Sequence, residues 1–205
     1  MSPQELVDQL RVRLALGLLH DLADEEAEHL VTPLPELLRL TGVGGDHRGH
    51  HGFESTRGVI NETFKENPIL RGVADIWVPT DVYVVSHLPK DAKVLVWGQV
   101  LSGMKPADPP VEGAKNHPMM PVVWLRDYTG EKGKTSKVLT TTMGAAVDLE
   151  NEGLRRLLIN GAYWAVGLEK SIPAKADVDY VGDYKPGWFG FGKFKPGLRP
   201  QDLLN

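Results

Sequence analysis

The clearest hydrophobic pattern of the chain lies in its second half, where a strand, a turn and a helix are predicted in succession. Lys137–Thr142 is rich in β-branched and apolar residues, which predicts a strand. Gly144 follows in a tight turn, where glycine permits positive φ or the close approach of a ligand. Ligands of open α/β sheets bind where a strand leads through such a turn into a helix. An ordinary βα unit without a ligand is the equally weighted alternative.

The helix after this turn is predicted to be amphipathic. Asp148 or Asn151 is a suitable N-cap, and Gly167 is a suitable C-terminal stop. Apolar and small residues recur at helical spacing, which predicts one buried face: Leu154, Leu157, Leu158, Gly161, Ala162 and Ala165.

Further strands are predicted upstream, because β-branched and apolar residues are concentrated in four more segments. In the second of them, Pro79 restricts the strand to a sheet edge or a kink. The segments are residues 55–60, 76–85, 92–100 and 121–126. A Pro/Gly-rich loop at residues 101–121 separates the last two, and loops of this length are often functional. It offers polar groups to a ligand: Lys105, Asp108, Glu112, Lys115, Asn116 and His117.

The first 45 residues differ from the rest in composition. They contain no aromatic residue and no lysine, and they carry three arginines against eight acidic side chains. Leucine periodicity predicts two helical stretches, which would form a small hairpin on the sheet or on a partner. The alternative is a sequence without an evolved role, as from a mis-joined reading frame, and the missing aromatics favour it. We therefore place a helical leader at residues 1–45 and the main domain at 46–205.

Composition excludes several functional classes. The 205 residues carry a net charge of −4, which argues against nucleic-acid binding, and no apolar run is long enough to predict a transmembrane helix. No signal peptide is visible, so the cytoplasm is the default expectation without being fixed. The absence of cysteine excludes disulfides, thiolate metal sites and a cysteine nucleophile.

The sequence contains one cluster of histidines, a residue type that can bind metal ions or transfer protons. His47, His50 and His51 lie among glycines and are candidate ligands of a divalent metal, or candidate acids and bases. The favoured alternative is a polar loop whose histidines bond to the backbone. Distant partners for the cluster would come from Glu54, Asp81, His87 and His117.

Two other features have competing interpretations. Arg57 is a candidate to hold a carboxylate or a sugar hydroxyl, although a structural ion pair is favoured. The tail at residues 172–205 is extended and rich in glycine, proline and aromatic residues. We favour packing anchors over a sugar-stacking platform for its later rings: Trp188, Phe189, Phe191 and Phe194.

Dense sequence segments resemble the ThuA-like family of trehalose utilisation, within the class I glutamine amidotransferase-like superfold. They include HHGFESTRGVI, NPILRGV, IWVPTDVYVV, TTTMGAAVDLENEGLRRLLINGAYWAVGLE and FGFGKFKPGLRP, and together they span roughly residues 46–205. The similarity is closest to the C-terminal part of the group common in planctomycete-type bacteria. The resemblance implies an α/β domain with a flavodoxin-like open sheet and flanking helices, whose N-terminal half would be missing here.

The resemblance also implies where a site would lie. His50 and His51 match the family's histidine segment, and Gly144 matches its glycine after the last core strand. Many relatives have histidine directly after that glycine, where this chain has Ala145. Together with Arg57 and His117, which are expected from the residues alone, these positions form the candidate site.

Three functions are compatible with the sequence. The first is carbohydrate utilisation, with trehalose or a related disaccharide as ligand and an unknown reaction, so that enzyme status is open. The second is a non-catalytic, incomplete domain that acts by association, because missing strands would leave a sheet edge available for a homo-oligomer. The third is metal binding by the histidine cluster.

Overall fold

The computed structural model describes residues 43–48, 52–130, 133–188, 197 and 199–203. The predicted leader lies outside these residues except for its last three, and so do His50, His51, Phe189, Phe191 and Phe194. The chain divides into two compact units, the larger of which ends at Asp179, while the smaller includes the tail from Tyr180 onward.

The larger unit is α/β and contains a curled, five-stranded open sheet. Its strands, in spatial order, are β3 (Ile76–Val78), β2 (Ser55–Ile60), β5 (Lys93–Leu101), β6 (Met120–Thr129) and β7 (Thr135–Thr141). Every pair in this sheet is antiparallel. A separate antiparallel ribbon joins β1 (Val43–His47) to β4 (Tyr83–Val85).

The predicted strands are confirmed, with small shifts at their ends. Residues 76–85 form two short strands interrupted at Pro79, and β3 lies at a sheet edge, as proline requires. The flavodoxin-like arrangement is not confirmed, because its core strands would pair in parallel. Parallel neighbours need long crossover connections that are usually helical, whereas β6 and β7 are joined here by a short hairpin.

The core lies between the sheet and α1 (Glu152–Ala165), which is the one α-helix among the described residues. Fully buried side chains from β5, β6 and α1 form its centre, among them Leu95, Trp124, Leu154 and Leu157. The helix contacts both outer strands, β3 and β7, and the 3₁₀ turn Pro68–Leu70. It therefore packs across the curled sheet from one edge to the other.

Local signals explain where α1 begins and ends. The side chain of Asn151 accepts a hydrogen bond from the Leu154 N–H at 2.8 Å, so Asn151 is the N-cap. At the other end, Gly167 has φ 79° and donates to the Trp164 carbonyl, while Leu168 donates to the Tyr163 carbonyl. This pair of bonds is a Schellman motif, which confirms the predicted glycine stop.

The buried face of α1 differs from the predicted one, because two polar residues belong to it. Asn160 donates from Nδ2 to the Ile69 and Arg71 carbonyls, each at 2.9 Å. Arg156 donates to the Ala176 carbonyl at 3.0 Å. Ala165, which was expected on this face, is exposed.

Within the described part of the chain, no helix combines the length and the apolar character needed to cross a membrane.

Candidate functional site

The turn between β7 and α1 is organised around the buried carboxylate of Asp148. Gly144 has φ 152°, which favours glycine, and the 3₁₀ turn Ala146–Glu150 follows it. One carboxylate oxygen of Asp148 accepts hydrogen bonds from the N–H groups of Gly144 at 2.9 Å and Ala145 at 3.0 Å. The side chain predicted as a helix cap thus closes the preceding turn.

Thr80 connects this turn to the opposite edge of the sheet. Its hydroxyl donates to the Asp148 carboxylate, with Oγ1 at 2.8 Å and 2.9 Å from the two oxygens. The Thr80 carbonyl in turn accepts a bond of 2.6 Å from the Thr56 hydroxyl on β2. Because Thr80 follows β3 and Asp148 follows β7, this contact joins the segments beyond the two outer strands.

Burial dominates the electrostatics of Asp148. Only 1% of the residue is exposed, and this desolvation raises the pKa of its carboxyl above the ordinary 3.8. The hydrogen bonds from Gly144, Thr80 and Ala145 oppose the shift without cancelling it. A carboxyl with a raised pKa beside a glycine turn is the pattern of many catalytic acids, but structural carboxyls share it.

The donors of this turn are already occupied by the protein itself. The N–H groups of Gly144 and Ala145, which are the backbone groups that a ligand would use there, both point to Asp148. The adjacent Asp81 is also buried. The backbone of the turn is therefore held in place by Asp148, and Gly144 is its exposed residue.

Arg57 anchors the long loop between β5 and β6. Its guanidinium donates to the Gln99 side-chain oxygen at 3.0 Å and to the carbonyls of Pro106 at 2.7 Å and Asp108 at 3.3 Å. The role is structural, as favoured from the sequence, but these acceptors are neutral where an ion pair was expected.

His117 lies exposed near the end of the same loop, next to a buried anchor. The neighbouring Asn116 accepts a bond from the Val100 N–H at 2.8 Å and donates to the carbonyls of Val100 and Val111. The chain is thereby fixed against β5 on one side of His117, while the peptide bond to Pro118 on the other side is cis.

Other polar residues near the loop are also engaged. Glu54 forms an ion pair with Lys115 at 2.6 Å. Arg48 donates to the carbonyls of Ala114 at 2.6 Å and Pro118 at 3.0 Å. Arg57 therefore holds the first half of the loop and Arg48 holds its second half. Glu54 is already paired with Lys115.

The histidine cluster is only partly placed. His47 belongs to β1, but its side chain, like His50 and His51, lies outside the described part of the structure. His87 shares a 2.9 Å hydrogen bond with the Ser86 hydroxyl. Among the described residues, no group of three histidine or carboxylate side chains is arranged to hold a metal ion.

The predicted site residues whose side chains belong to the described part of the chain fall into two places. Arg57 and His117 belong to the region of the long loop, whereas Gly144 belongs to the turn after β7. Sequence reasoning missed the Thr80–Asp148 contact, although Asp148 itself was recognised as a cap.

No protein-family model matches the chain, and no match was found among curated proteins or solved structures.

Proposed function

We propose that this chain is a ThuA-like protein of carbohydrate utilisation that takes trehalose, a related disaccharide or an oxidised sugar. The resemblance over residues 46–205 motivates the proposal. The observation that carries it is the strand–turn–helix unit from β7 to α1, in which Gly144 adopts positive φ at the position matching the family's glycine. The segments of the resemblance also supply most of the core strands of one folded unit.

The finer fold assignment belongs to the same proposal. Residues 46–205 would correspond to the C-terminal part of a class I glutamine amidotransferase-like domain. The β7-to-α1 unit fits this assignment, since it leads from a strand end through a glycine turn to a helix.

A ligand and turnover screen tests the function. Purified chain is titrated with trehalose, related disaccharides and their keto forms, with thermal shift and product formation as readouts. We expect at least one sugar to stabilise the protein, and His50→Ala or His51→Ala to abolish the response. His20→Ala is the matched control, because His20 is a histidine that lies outside residues 46–205, where the resemblance is found.

The interpretation of the screen depends on a folded sample. Cooperative unfolding without any sugar response would contradict the proposal, provided that a full-length ThuA-like protein responds in the same assay. Repeating the titration with added zinc shows whether the cluster of His47, His50 and His51 acts through a metal. A sugar response that does not depend on these histidines would move the site elsewhere.

The second candidate function, association without catalysis, is favoured by the edges of the sheet. Within the described chain, β3 and β7 each pair with one strand only. Phe53 and Val166 are large apolar side chains that are largely exposed. Exposed edges and apolar residues promote pairing with another chain. Light scattering should then show a dimer or larger assembly, and a compact monomer at high concentration would contradict it.

A further inference from the structure

One face of the sheet carries a row of three side chains that lie across β3, β2 and β5. Trp77 is paired directly with Arg57, and Arg57 is paired directly with Gln99. Directly paired residues of antiparallel strands project from the same face, so the three side chains are neighbours, and all three are partly exposed. The next row projects to the opposite face and is buried: Thr56, Val78 and Val100. The row of Trp77, Arg57 and Gln99 therefore faces away from the core.

A second tryptophan extends this surface. Trp97 lies two residues before Gln99 on β5 and is also partly exposed, so its indole projects from the same face. Because β2 lies between β3 and β5, the indoles of Trp77 and Trp97 stand on either side of Arg57. The Trp77 indole is fixed in orientation, since its Nε1–H donates to the Ser55 hydroxyl at 3.0 Å.

The guanidinium between these rings keeps its charge unpaired. Within the described part of the chain, its hydrogen-bond acceptors are neutral, namely the Gln99 side-chain oxygen and two loop carbonyls. Asp108 contacts Arg57 through its carbonyl only, and its carboxylate accepts from the Lys105 N–H at 2.8 Å. A partly buried cation without an anionic partner favours a ligand that supplies the negative charge.

The polar groups of the surface also have hydrogen-bond donors to spare. Gln99 directs its side-chain oxygen to Arg57 at 3.0 Å, which leaves its –NH₂ group for another acceptor. Neither Gln99 Nε2 nor Arg57 Nε donates to any residue in the described ranges. A ligand that matches this surface therefore brings acceptor oxygens and no donor at this point, which is the chemistry of a carboxylate.

From these observations we propose that the surface of Trp77, Arg57, Gln99 and Trp97 binds an acidic sugar. The carboxylate accepts from Arg57 and Gln99, and the C–H face of the sugar ring stacks on an indole. A simple carboxylate uses only the donors, and a neutral sugar leaves the guanidinium charge unpaired. The inference rests on the proposed function for the sugar and narrows the ligand to an oxidised form that carries a carboxylate.

The test is calorimetric titration of the full chain with glucuronate, with glucose as its neutral counterpart and acetate as a carboxylate without a ring. Glucuronate should bind about 10-fold or more tightly than glucose, because hydrogen bonds to charged groups contribute more than neutral ones. It should also bind more tightly than acetate, which cannot stack on an indole. Tryptophan fluorescence recorded in the same titrations should change with glucuronate.

Gln99→Glu is the sharpest variant, because it keeps the oxygen that accepts from Arg57 and so preserves the anchor of the loop. The added charge pairs with the guanidinium and repels a carboxylate, and affinity for glucuronate should fall by about 10- to 100-fold. Arg57→Gln should cause a similar loss. Arg48→Gln is the matched control, because Arg48 holds the same loop through the carbonyls of Ala114 and Pro118 but lies outside this surface. Its affinity should stay within about twofold of the unmodified chain.

Each outcome decides between the possibilities. Weaker glucuronate binding in Gln99→Glu and Arg57→Gln, with Arg48→Gln unaffected, supports the acidic-sugar surface. Glucuronate binding that leaves these variants or the tryptophan fluorescence unchanged overturns it. Acetate binding as tight as that of glucuronate assigns the donors to simple anions and also overturns it. Trehalose binding without a preference for glucuronate over glucose overturns the surface but leaves the proposed function intact, whereas a folded chain that binds no sugar overturns both.

Discussion

Replacing Asp148 by alanine removes one carboxylate that closes a turn and joins two sheet edges. The N–H groups of Gly144 and Ala145 lose their acceptor, and the Thr80 hydroxyl loses its bond as well. Both the turn before α1 and the segment after β3 are then released. We expect a loss of stability in the larger unit without loss of its secondary structure.

The magnitude follows from the number of bonds and from the state of the carboxyl. Hydrogen bonds to charged acceptors contribute about 1.5–3 kcal/mol each, and three donors are involved. Two effects reduce the sum: Gly144 is exposed, so that its N–H can bond to water, and alanine removes a carboxyl that burial disfavours in its charged form. We therefore expect a loss of about 2–4 kcal/mol in the free energy of unfolding.

Asp148→Asn separates hydrogen bonding from charge. The amide oxygen can accept from both backbone N–H groups, and the amide nitrogen can donate to the Thr80 hydroxyl oxygen, so the geometry is preserved. We expect this variant to lie within about 1 kcal/mol of the unmodified chain. Asp127→Ala is the matched control, because Asp127 is an exposed aspartate on β6, and its effect should stay within about 0.5 kcal/mol.

Urea unfolding followed by far-UV circular dichroism and tryptophan fluorescence measures all three variants. The expected order of destabilisation places Asp148→Ala far above Asp148→Asn and Asp127→Ala. Equal stability of Asp148→Ala and Asp127→Ala would refute the closing role of the carboxylate. Equal damage from alanine and asparagine at position 148 would show that an amide cannot replace the carboxylate, contrary to the expected order.

Three further predictions follow from particular contacts. Because the pKa of Asp148 is raised above 3.8 in the folded state, its protonation contributes stability that is complete below that value and lost as pH rises through the folded pKa. The unmodified chain should therefore gain stability relative to Asp148→Asn as the pH falls from 7 toward 4. A stability difference that does not change with pH would contradict the shift. Gly153→Ala should destabilise by more than about 3 kcal/mol, because the added Cβ would lie 1.8 Å from the Asp75 carbonyl oxygen, whereas Gly187→Ala meets no atom within 4 Å and should be neutral in the same urea assay. Asn116→Ala breaks three bonds to the backbone and should make the loop between β5 and β6 susceptible to limited proteolysis, while His117→Ala should leave the cleavage pattern unchanged.

Much of the local structure was predictable from short-range patterns. Ser55–Ile60 is a strand with the predicted ends, and Asn151 and Gly167 bound the helix as their side-chain chemistry requires. These features depend on residues close together in sequence. Pro79 likewise interrupts its strand, because proline lacks the N–H that a sheet ladder needs.

Strand pairing was less accessible to sequence reasoning. The resemblance favoured a parallel arrangement, whereas the described pairs are antiparallel. Strand periodicity reports which faces are buried but not which strand is the neighbour. Residues 101–121 were recognised as a loop, but not as an antiparallel connection between adjacent strands.

Buried polar contacts were the least predictable. Arg156 and Asn160 look like solvent-facing positions of an amphipathic helix, yet both bond to carbonyls of distant turns. Thr80 and Asp148 are 68 residues apart and meet only because α1 and the curled sheet bring their turns together. Such partners become identifiable only when the tertiary arrangement is known.

The central claim, that this chain is a sugar-binding ThuA-like protein, is tested most directly by isothermal titration calorimetry of the full chain with trehalose. We expect a saturable heat of binding for trehalose, or for a related disaccharide or its keto form, at one site per chain. A sample that unfolds cooperatively in urea but gives only heats of dilution with every one of these sugars at millimolar concentrations would contradict it.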